Sequence, residues 1–130
     1  MENKETKYGD FRDLEVWQLC KSIRIEIWNL CKTFPKEEKY RLSDQMIRSS
    51  RSATDCIAEG YGRYHYQENI QFCRQARGSL YELMNQMVTA LECEYIDKNY
   101  FNNMIEKIKR AVRVINGYIK YLKNRKKGDS

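Results

Sequence analysis

The chain has 130 residues, in which 24 Lys and Arg residues oppose 18 Asp and Glu residues, so the formal net charge is +6. This length fits one domain, and a mean hydropathy of −0.82 without a long apolar run excludes a membrane-spanning helix. One proline and six glycines are too few for the frequent turns of an all-β fold, which indicates an all-α protein. The polar amino-terminal residues lack the apolar segment of a signal peptide, which predicts a cytoplasmic location.

The first predicted helix follows Asp13, a suitable N-cap, and ends near Pro35. One stripe at helical spacing faces a core and comprises Val16, Leu19, Cys20, Ile23, Ile27, Leu30, Cys31 and Phe34. A second apolar set lies on the opposite side and comprises Leu14, Trp17, Ile25 and Trp28. A helix in an isolated bundle needs only one apolar face, so the second set predicts contact with another subunit. The alternative is that these rings pack across neighbouring helices of one subunit.

The second predicted helix starts between Lys36 and Ser43 and ends at Gly60, where a Gly-Tyr-Gly stretch favours a C-cap and a turn. Its inward positions are Leu42, Met46, Ile47, Ser50, Ala53 and Ile57. Small side chains dominate this helix, which predicts a close approach of its backbone to its neighbours.

The third predicted helix runs from about Gln67 to Glu94. Its core positions are Ile70, Cys73, Ala76, Leu80, Leu83, Met84, Met87 and Leu91. Gly78 lies inside it, where glycine costs about 1 kcal/mol relative to alanine. That cost predicts close packing of another helix against Gly78.

The fourth predicted helix follows Asp97, another candidate N-cap, and ends near Lys123. Its core stripe comprises Phe101, Met104, Ile105, Ile108, Val112, Ile115, Ile119 and Leu122. A flanking ridge of Tyr100, Ala111, Val114, Tyr118 and Tyr121 adds a second apolar surface. We therefore predict a homo-oligomer whose interface contains Leu14, Trp17, Ile25, Trp28, Val114, Tyr118 and Tyr121.

Four amphipathic helices with short connections predict an antiparallel up-down-up-down four-helix bundle. Residues 1–10 are predicted to form an amino-terminal extension, residues 11–123 the bundle, and residues 124–130 a frayed basic tail. The sequence shows no internal repeat and no linker between domains.

The positive charge is concentrated rather than spread evenly. Arginine pairs at three-residue spacing lie on the second and third helices, and one arginine lies among the tyrosines of the connection between them. Four basic residues share an arc of the fourth helix, namely Lys109, Arg113, Lys120 and Lys127. The predicted contacts are Arg48, Arg51, Arg63, Arg74, Arg77, Lys109, Arg113 and Lys120. A basic stripe favours the phosphate backbone of a nucleic acid, although an acidic protein partner would suit the same surface. The tyrosines of the connection could also stack on unpaired bases, or simply pack with their hydroxyls in water.

Catalysis, metal binding and a bound cofactor are not predicted. The five cysteines form no C-x-x-C pair, so buried thiols are expected rather than disulfides or a zinc site. His65 is the only histidine, which excludes the Glu-x-x-His pairs of a di-iron bundle. Asp55 and Glu59 share a helix face, and we expect such carboxylates to pair with nearby arginines.

Several stretches resemble one bacterial family. Residues 11–18 read F-R-D-L-E-V-W-Q, residues 34–40 read F-P-K-E-E-K-Y, residues 57–63 read I-A-E-G-Y-G-R, and residues 76–83 read A-R-G-S-L-Y-E-L. These motifs are similar to those of the four-helix bundle proteins first noted in 23S ribosomal RNA intervening sequences. The sequence departs from that pattern at residues 52–56, where S-A-T-D-C replaces a usual S-I-P-x-N.

The resemblance implies a barrel-like homopentamer of four-helix bundles with no known catalytic activity. Residues 62–72 look more like a related branch, the accessory variability determinants of diversity-generating retroelements. That branch implies a basic pentamer that binds nucleic acid and a reverse transcriptase. We therefore predict a non-catalytic protein that binds RNA or an RNA–DNA hybrid and acts with a reverse transcriptase. The alternatives are a protein-only scaffold for an acidic partner and a ribosomal-RNA-associated intervening-sequence protein.

Overall fold

The computed structural model describes residues 7–129, without the side chain of Asp129. It contains α1 (Glu15–Cys31), α2 (Leu42–Gly62), α3 (Tyr66–Glu92) and α4 (Lys98–Asp129), with short 3-10 turns at Phe11–Asp13 and Lys36–Glu38. No strand occurs within residues 7–129, which confirms the predicted all-α class. No helix in this part of the chain is long and apolar enough to cross a bilayer.

Each helix packs against two others. The helix α1 contacts α2 and α4, and α3 contacts the same two helices, so the four form a ring of neighbours around one core. The centre of that core is fully buried and comprises Ile23, Ile27, Met46, Ile57, Leu80, Leu83, Met87, Ile108 and Ile115. The predicted core stripes are therefore confirmed. Their edge positions are only half-buried, namely Leu19, Leu30, Ile47, Met84, Leu91, Phe101 and Ile105.

Polar contacts also join neighbouring helices. Arg24 donates to Thr54 Oγ1 at 3.0 Å between α1 and α2, and the Ser79 hydroxyl donates to Ser52 Oγ at 2.9 Å between α2 and α3. Lys107 of α4 pairs with Glu26 of α1. Because hydrogen bonds are directional, these contacts restrict how the helices slide along one another.

The predicted N-cap at Asp13 is wrong, whereas the one at Asp97 is confirmed. The Asp13 carboxylate accepts the N–H groups of Tyr8 at 3.0 Å and Gly9 at 2.7 Å, so it closes the preceding turn. These backbone donors, that of Tyr8 first, hold the pKa of Asp13 below its usual range. Leu14 occupies the cap position of α1 without a side-chain hydrogen bond, while Asp97 Oδ1 accepts the Tyr100 N–H at 2.8 Å.

The helix α2 passes through Gly60 instead of ending there. A Cβ atom at Gly60 would lie 2.8 Å from Asn69 Oδ1 and 2.8 Å from Phe72 Cβ, both on α3. Glycine is therefore needed for the close approach of α2 and α3, as the small residues of α2 predicted. The helix ends two residues later, and Tyr64 then adopts a left-handed φ of 60°. A side chain in that region costs on the order of 1 kcal/mol.

The close packing predicted at Gly78 is wrong. Gly78 is exposed on α3, and a Cβ atom built there meets nothing within 4 Å. The periodicity identified a helical glycine but contained no information on which residue it would face.

Gly78→Ala is therefore expected to raise the free energy of unfolding by about 0.5–1 kcal/mol, because alanine loses less backbone entropy in a helix. Urea denaturation followed by circular dichroism measures this change. Gly117→Ala serves as a matched variant, since its added Cβ also meets nothing within 4 Å, and a loss of stability in both variants would contradict the expectation.

The predicted end of the fourth helix is also too early. The helix α4 continues past residue 123 to Asp129, so residues 124–129 of the predicted frayed tail are helical. Lys126 Nζ donates to Gln67 Oε1 at 2.5 Å and ties this segment to the start of α3. Cations also suit the negative end of the helix dipole, which favours this extension. Residues 1–6 of the predicted amino-terminal extension and Ser130 lie outside the described residues.

Candidate nucleic-acid interface

Five of the predicted RNA contacts come together where α3 packs beside α4. Arg77 Nη1 donates to Asn116 Oδ1 at 2.6 Å, which joins the two helices. Asn116 lies one turn from Arg113 and Lys120, so these side chains share a face of α4 with Lys109, and Arg74 lies one turn before Arg77. The α3/α4 basic face therefore comprises Arg74, Arg77, Lys109, Arg113 and Lys120.

The charges of the α3/α4 basic face are available for a partner. None of its five residues forms a salt bridge with another residue of the described chain. The Asn116 amide positions Arg77 but leaves its charge uncompensated. Lys109, Arg113 and Lys120 are exposed, whereas Arg74 and Arg77 are half-buried against the bundle.

The other three predicted contacts lie elsewhere and already have partners. Arg48 pairs with Asp44 at 3.4 Å on the outer side of α2. Arg63 pairs with Glu59 at 2.8 Å, and this hydrogen bond raises the pKa of the Arg63 guanidinium. The expected pairing of Glu59 with an arginine is thus confirmed. The third, Arg51, extends over the ring of Trp28, with its guanidinium carbon 5.5 Å from the ring centroid.

Trp28 lies in a groove between α1 and α2, where it is 47% exposed. The groove has a volume of about 250 Å³ and is lined by Arg24, Ile25, Trp28, Ile47, Ser50 and Arg51. An adjoining pocket of about 310 Å³ shares Trp28 and Ile47 and adds three lysines, Lys32, Lys36 and Lys39. No acidic residue lines either cavity, so this α1/α2 groove combines an apolar floor with a basic rim.

The seven predicted interface residues do not form one surface within the subunit. Ile25 and Trp28 are about half exposed in the α1/α2 groove. Leu14, Trp17, Val114 and Tyr118 are partly buried against the core of their own subunit. For these four residues the arrangement matches the alternative of packing within one subunit, although Trp17 also lines a pocket together with Ile25. The Trp17 ring meets Phe11 edge-on at 5.3 Å, and the neighbouring ridge residue Ala111 is fully buried.

Tyr121 belongs to a third region, at the end of the bundle where α2 passes into α3. Its ring stacks on Tyr118 with centroids 6.1 Å apart, and the Tyr118 hydroxyl accepts a hydrogen bond from Asn69 at 3.3 Å. Tyr61 in the last turn of α2 and Tyr64 in the connection to α3 lie at the same end of the bundle. We call Tyr61, Tyr64, Tyr118 and Tyr121 the tyrosine end. The sequence identified the turn tyrosines and the α4 tyrosines separately but not their closeness, because helical spacing does not show which ends of two helices meet.

The cysteines are all free. Burial raises the pKa values of Cys20 and Cys73 to about 12, so both are unreactive thiols at neutral pH. The prediction of buried cysteines holds for Cys20, Cys31 and Cys73, whereas Cys56 is half-buried and Cys93 is exposed. Within residues 7–129, no group of three His, Cys, Asp or Glu side chains is arranged to hold a metal ion.

The described residues form a four-helix bundle that carries the α3/α4 basic face. The family model described as 23S rRNA-intervening sequence protein matches residues 12–117, so the chain belongs to this family. A similar solved structure is that of a protein of unknown function from the S23 ribosomal protein family of Bacteroides thetaiotaomicron. The two share 21% sequence identity and a TM-score of 0.74 over 81% of this chain and 98% of that one, which shows a common fold. No curated protein matches the chain.

The comparisons confirm the family predicted from the motifs. They support the ribosomal intervening-sequence alternative more directly than the retroelement-associated branch, which they leave as a prediction.

Proposed function

We propose that the protein binds RNA through the α3/α4 basic face and that it does so without catalysing a reaction. The observation that carries this proposal is the set of five cations from two helices, none of which forms a salt bridge within the described chain. Unpaired cations on one surface attract the phosphate backbone of a nucleic acid and release its counterions on binding.

The dimensions of the α3/α4 basic face suit a short stretch of RNA. Lys109 and Lys120 lie about 16 Å apart along α4 at 1.5 Å per residue. That distance corresponds to about five nucleotides at the 3.4 Å rise of a strand in a DNA duplex. Backbone contacts of this kind carry little sequence information, so we expect binding to tolerate changes of RNA sequence.

Fluorescence anisotropy with a labelled RNA of about 20 nucleotides tests the proposal. We expect micromolar or tighter affinity at about 50 mM salt and a plot of log K against log salt with a slope of about −3.5, since five contacts each contribute about −0.7 on a single strand. If RNA does not bind at that salt concentration, the proposed function is wrong.

We also propose the predicted antiparallel up-down-up-down order and its assembly into a barrel-like homopentamer. Residues 63–65 span at most about 10 Å, whereas α2 is about 30 Å long, so α3 must turn back along α2. Each of the five subunits would carry a net charge of +6, so the assembly would attract a polyanion more strongly than one subunit does. The half-exposed Trp28 supports an assembly in which the α1/α2 groove takes part.

Trp28→Glu is expected to dissociate this assembly, because a carboxylate would replace the largest apolar side chain of the α1/α2 groove. Light scattering should give five times 15.7 kDa for the unmodified protein and 15.7 kDa for the variant. Tyr40→Glu is a matched control, since Tyr40 is exposed outside the groove. A 15.7 kDa mass for the unmodified protein at micromolar concentration would rule out the oligomer.

Within this function, we propose a role beside a reverse transcriptase in a diversity-generating retroelement. The similarity of residues 62–72 to that branch supports it. The assembly would hold template RNA, or an RNA–DNA hybrid, near the polymerase and raise their effective concentration. Co-purification of a reverse transcriptase encoded beside this gene tests the role. Without that partner, the ribosomal-RNA-associated alternative is favoured.

A second candidate function, a scaffold for an acidic protein, is favoured by the basic rim of the α1/α2 groove. It predicts a partner whose binding survives charge reversal on the α3/α4 basic face but fails when Lys36 and Lys39 at the groove rim are reversed to glutamate, with the mass measured by light scattering unchanged. Binding measurements with those two variants therefore separate the two functions.

A further inference from the structure

Tyr64 has a backbone conformation that is unfavourable for a residue with a side chain. Its φ of 60° lies in the left-handed region, where glycine is the usual residue after a helix. The Tyr64 N–H donates to the Tyr61 carbonyl at 3.4 Å, so the backbone here closes the end of α2 whatever the side chain is. The tyrosine side chain is 86% exposed, and its ring has no aromatic or cation contact with the described residues. The folded subunit therefore gains little from this ring.

Cations surround the tyrosine end. Lys126 reaches Gln67 in the first turn of α3, which brings the basic end of α4 to the turn that carries Tyr64. The Arg125 guanidinium carbon lies 6.0 Å from the centroid of the Tyr121 ring, and Tyr121 is about half exposed. Lys120, at one edge of the α3/α4 basic face, directly precedes Tyr121. One end of the basic face therefore lies at the level of the tyrosine end along α4, on a neighbouring side of the helix.

We propose that the tyrosine end binds unpaired nucleotides, with the Tyr64 ring stacked on a base while α4 cations contact the backbone. This inference rests on the proposed RNA binding and specifies its ligand as single-stranded RNA. Proteins that bind unpaired bases combine exposed aromatic rings for stacking with cations in the same region for the phosphate backbone. A duplex offers its phosphates to the same cations, but its bases are stacked on one another and cannot cover the ring.

The substitution Tyr64→Gly tests the ring separately from the fold. We expect it to weaken binding of a labelled 20-nucleotide single-stranded oligouridine RNA at least fivefold, since removing one stacking side chain costs about 1–3 kcal/mol, and 1.4 kcal/mol is tenfold. Affinity for a 20-base-pair RNA duplex should stay within about twofold. Because glycine suits a positive φ, the melting temperature should not fall. Tyr64→Phe, which keeps the ring, should retain the affinity of the unmodified protein.

Two variants serve as controls. Tyr40→Gly removes a tyrosine that is 82% exposed in the connection before α2, at the opposite end of that helix, and should leave binding unchanged. Glu94→Gly introduces glycine at the other non-glycine position of positive φ, 64°, without removing a ring. Its expected result is the unmodified affinity or a slightly higher one, since it also removes a negative charge.

Three results would overturn the inference. The first is unchanged single-strand affinity in Tyr64→Gly, the second is an equal loss for single strand and duplex, and the third is an equal loss in Tyr40→Gly. In each of these cases RNA binding by the unmodified protein still stands. If the unmodified protein binds neither RNA at about 50 mM salt, the proposed function is wrong as well.

Discussion

Reversing the charges of Arg74 and Arg77 to glutamate is expected to weaken RNA binding at least tenfold at about 50 mM salt. Both residues belong to the α3/α4 basic face, and each change removes a cation and adds an anion that repels phosphate. Losing two contacts should also reduce the slope of log K against log salt by about 1.4, at about 0.7 for each single-strand contact. Fluorescence anisotropy across a salt series measures the affinity and the slope together.

The matched control reverses Arg48 and Arg51, which carry the same charges but lie outside the α3/α4 basic face. Because Arg51 lines the α1/α2 groove, light scattering must show that this variant keeps the mass of the unmodified protein. Arg48 pairs with Asp44, and Arg51 lies over Trp28, so their loss should weaken binding less and leave the salt slope nearly unchanged. Arg77→Glu also removes the hydrogen bond to Asn116, so circular dichroism must first show that the double variant is folded. Equal losses in the two double variants would mean that overall charge, rather than this face, binds RNA.

Gly60→Ala is expected to lower the free energy of unfolding by about 1–2 kcal/mol. Overpacking a close contact typically costs about 1–3 kcal/mol, and the better helix propensity of alanine returns up to about 1 kcal/mol. The added Cβ would lie 2.8 Å from both Asn69 Oδ1 and Phe72 Cβ, and 3.3 Å from the Asn69 backbone. Because one of these contacts is with the Asn69 backbone, a side-chain rotation cannot relieve it, and α2 and α3 must move apart.

Gly60→Ala and Gly78→Ala make the same substitution, but we expect them to change the free energy of unfolding in opposite directions. Urea denaturation of both variants measures the two changes. Gly78 has nothing within 4 Å of an added Cβ, so its variant should be more stable than the unmodified protein. If Gly60→Ala were also stabilised, the close approach of α2 and α3 at Asn69 would not exist in solution.

The helices and their buried faces were predictable because helical periodicity is a local property. Ile23, Met46, Leu80 and Ile108 were each assigned to a core stripe from spacing alone, and each is fully buried. The ends of the helices were less predictable from the residue types found there. Asp13 has the right side chain for an N-cap, but its carboxylate bonds to Tyr8 and Gly9 instead of α1. A cap residue has several backbone donors within reach, and spacing does not choose among them.

The sequence predicted which residues of the candidate site are charged, but not which of them lie together in the fold. Arg74, Arg77 and the fourth-helix cations were identified from the sequence, but so were Arg48, Arg51 and Arg63, which lie elsewhere. Whether a surface arginine is free or paired depends on what the chain brings beside it. For Arg63 that partner is four residues away, whereas for Arg51 it is Trp28 on another helix.

The sequence by itself determined four amphipathic helices, their core stripes, the family and an excess of positive charge, because composition, motifs and helical spacing are read along the chain. Only the tertiary structure decided that Gly60, and not Gly78, meets a neighbour, and that Arg77 reaches Asn116. It also decided that the end of α4 lies beside the turn that carries Tyr64. These pairings depend on how four helices share one core, and no single helix contains that information.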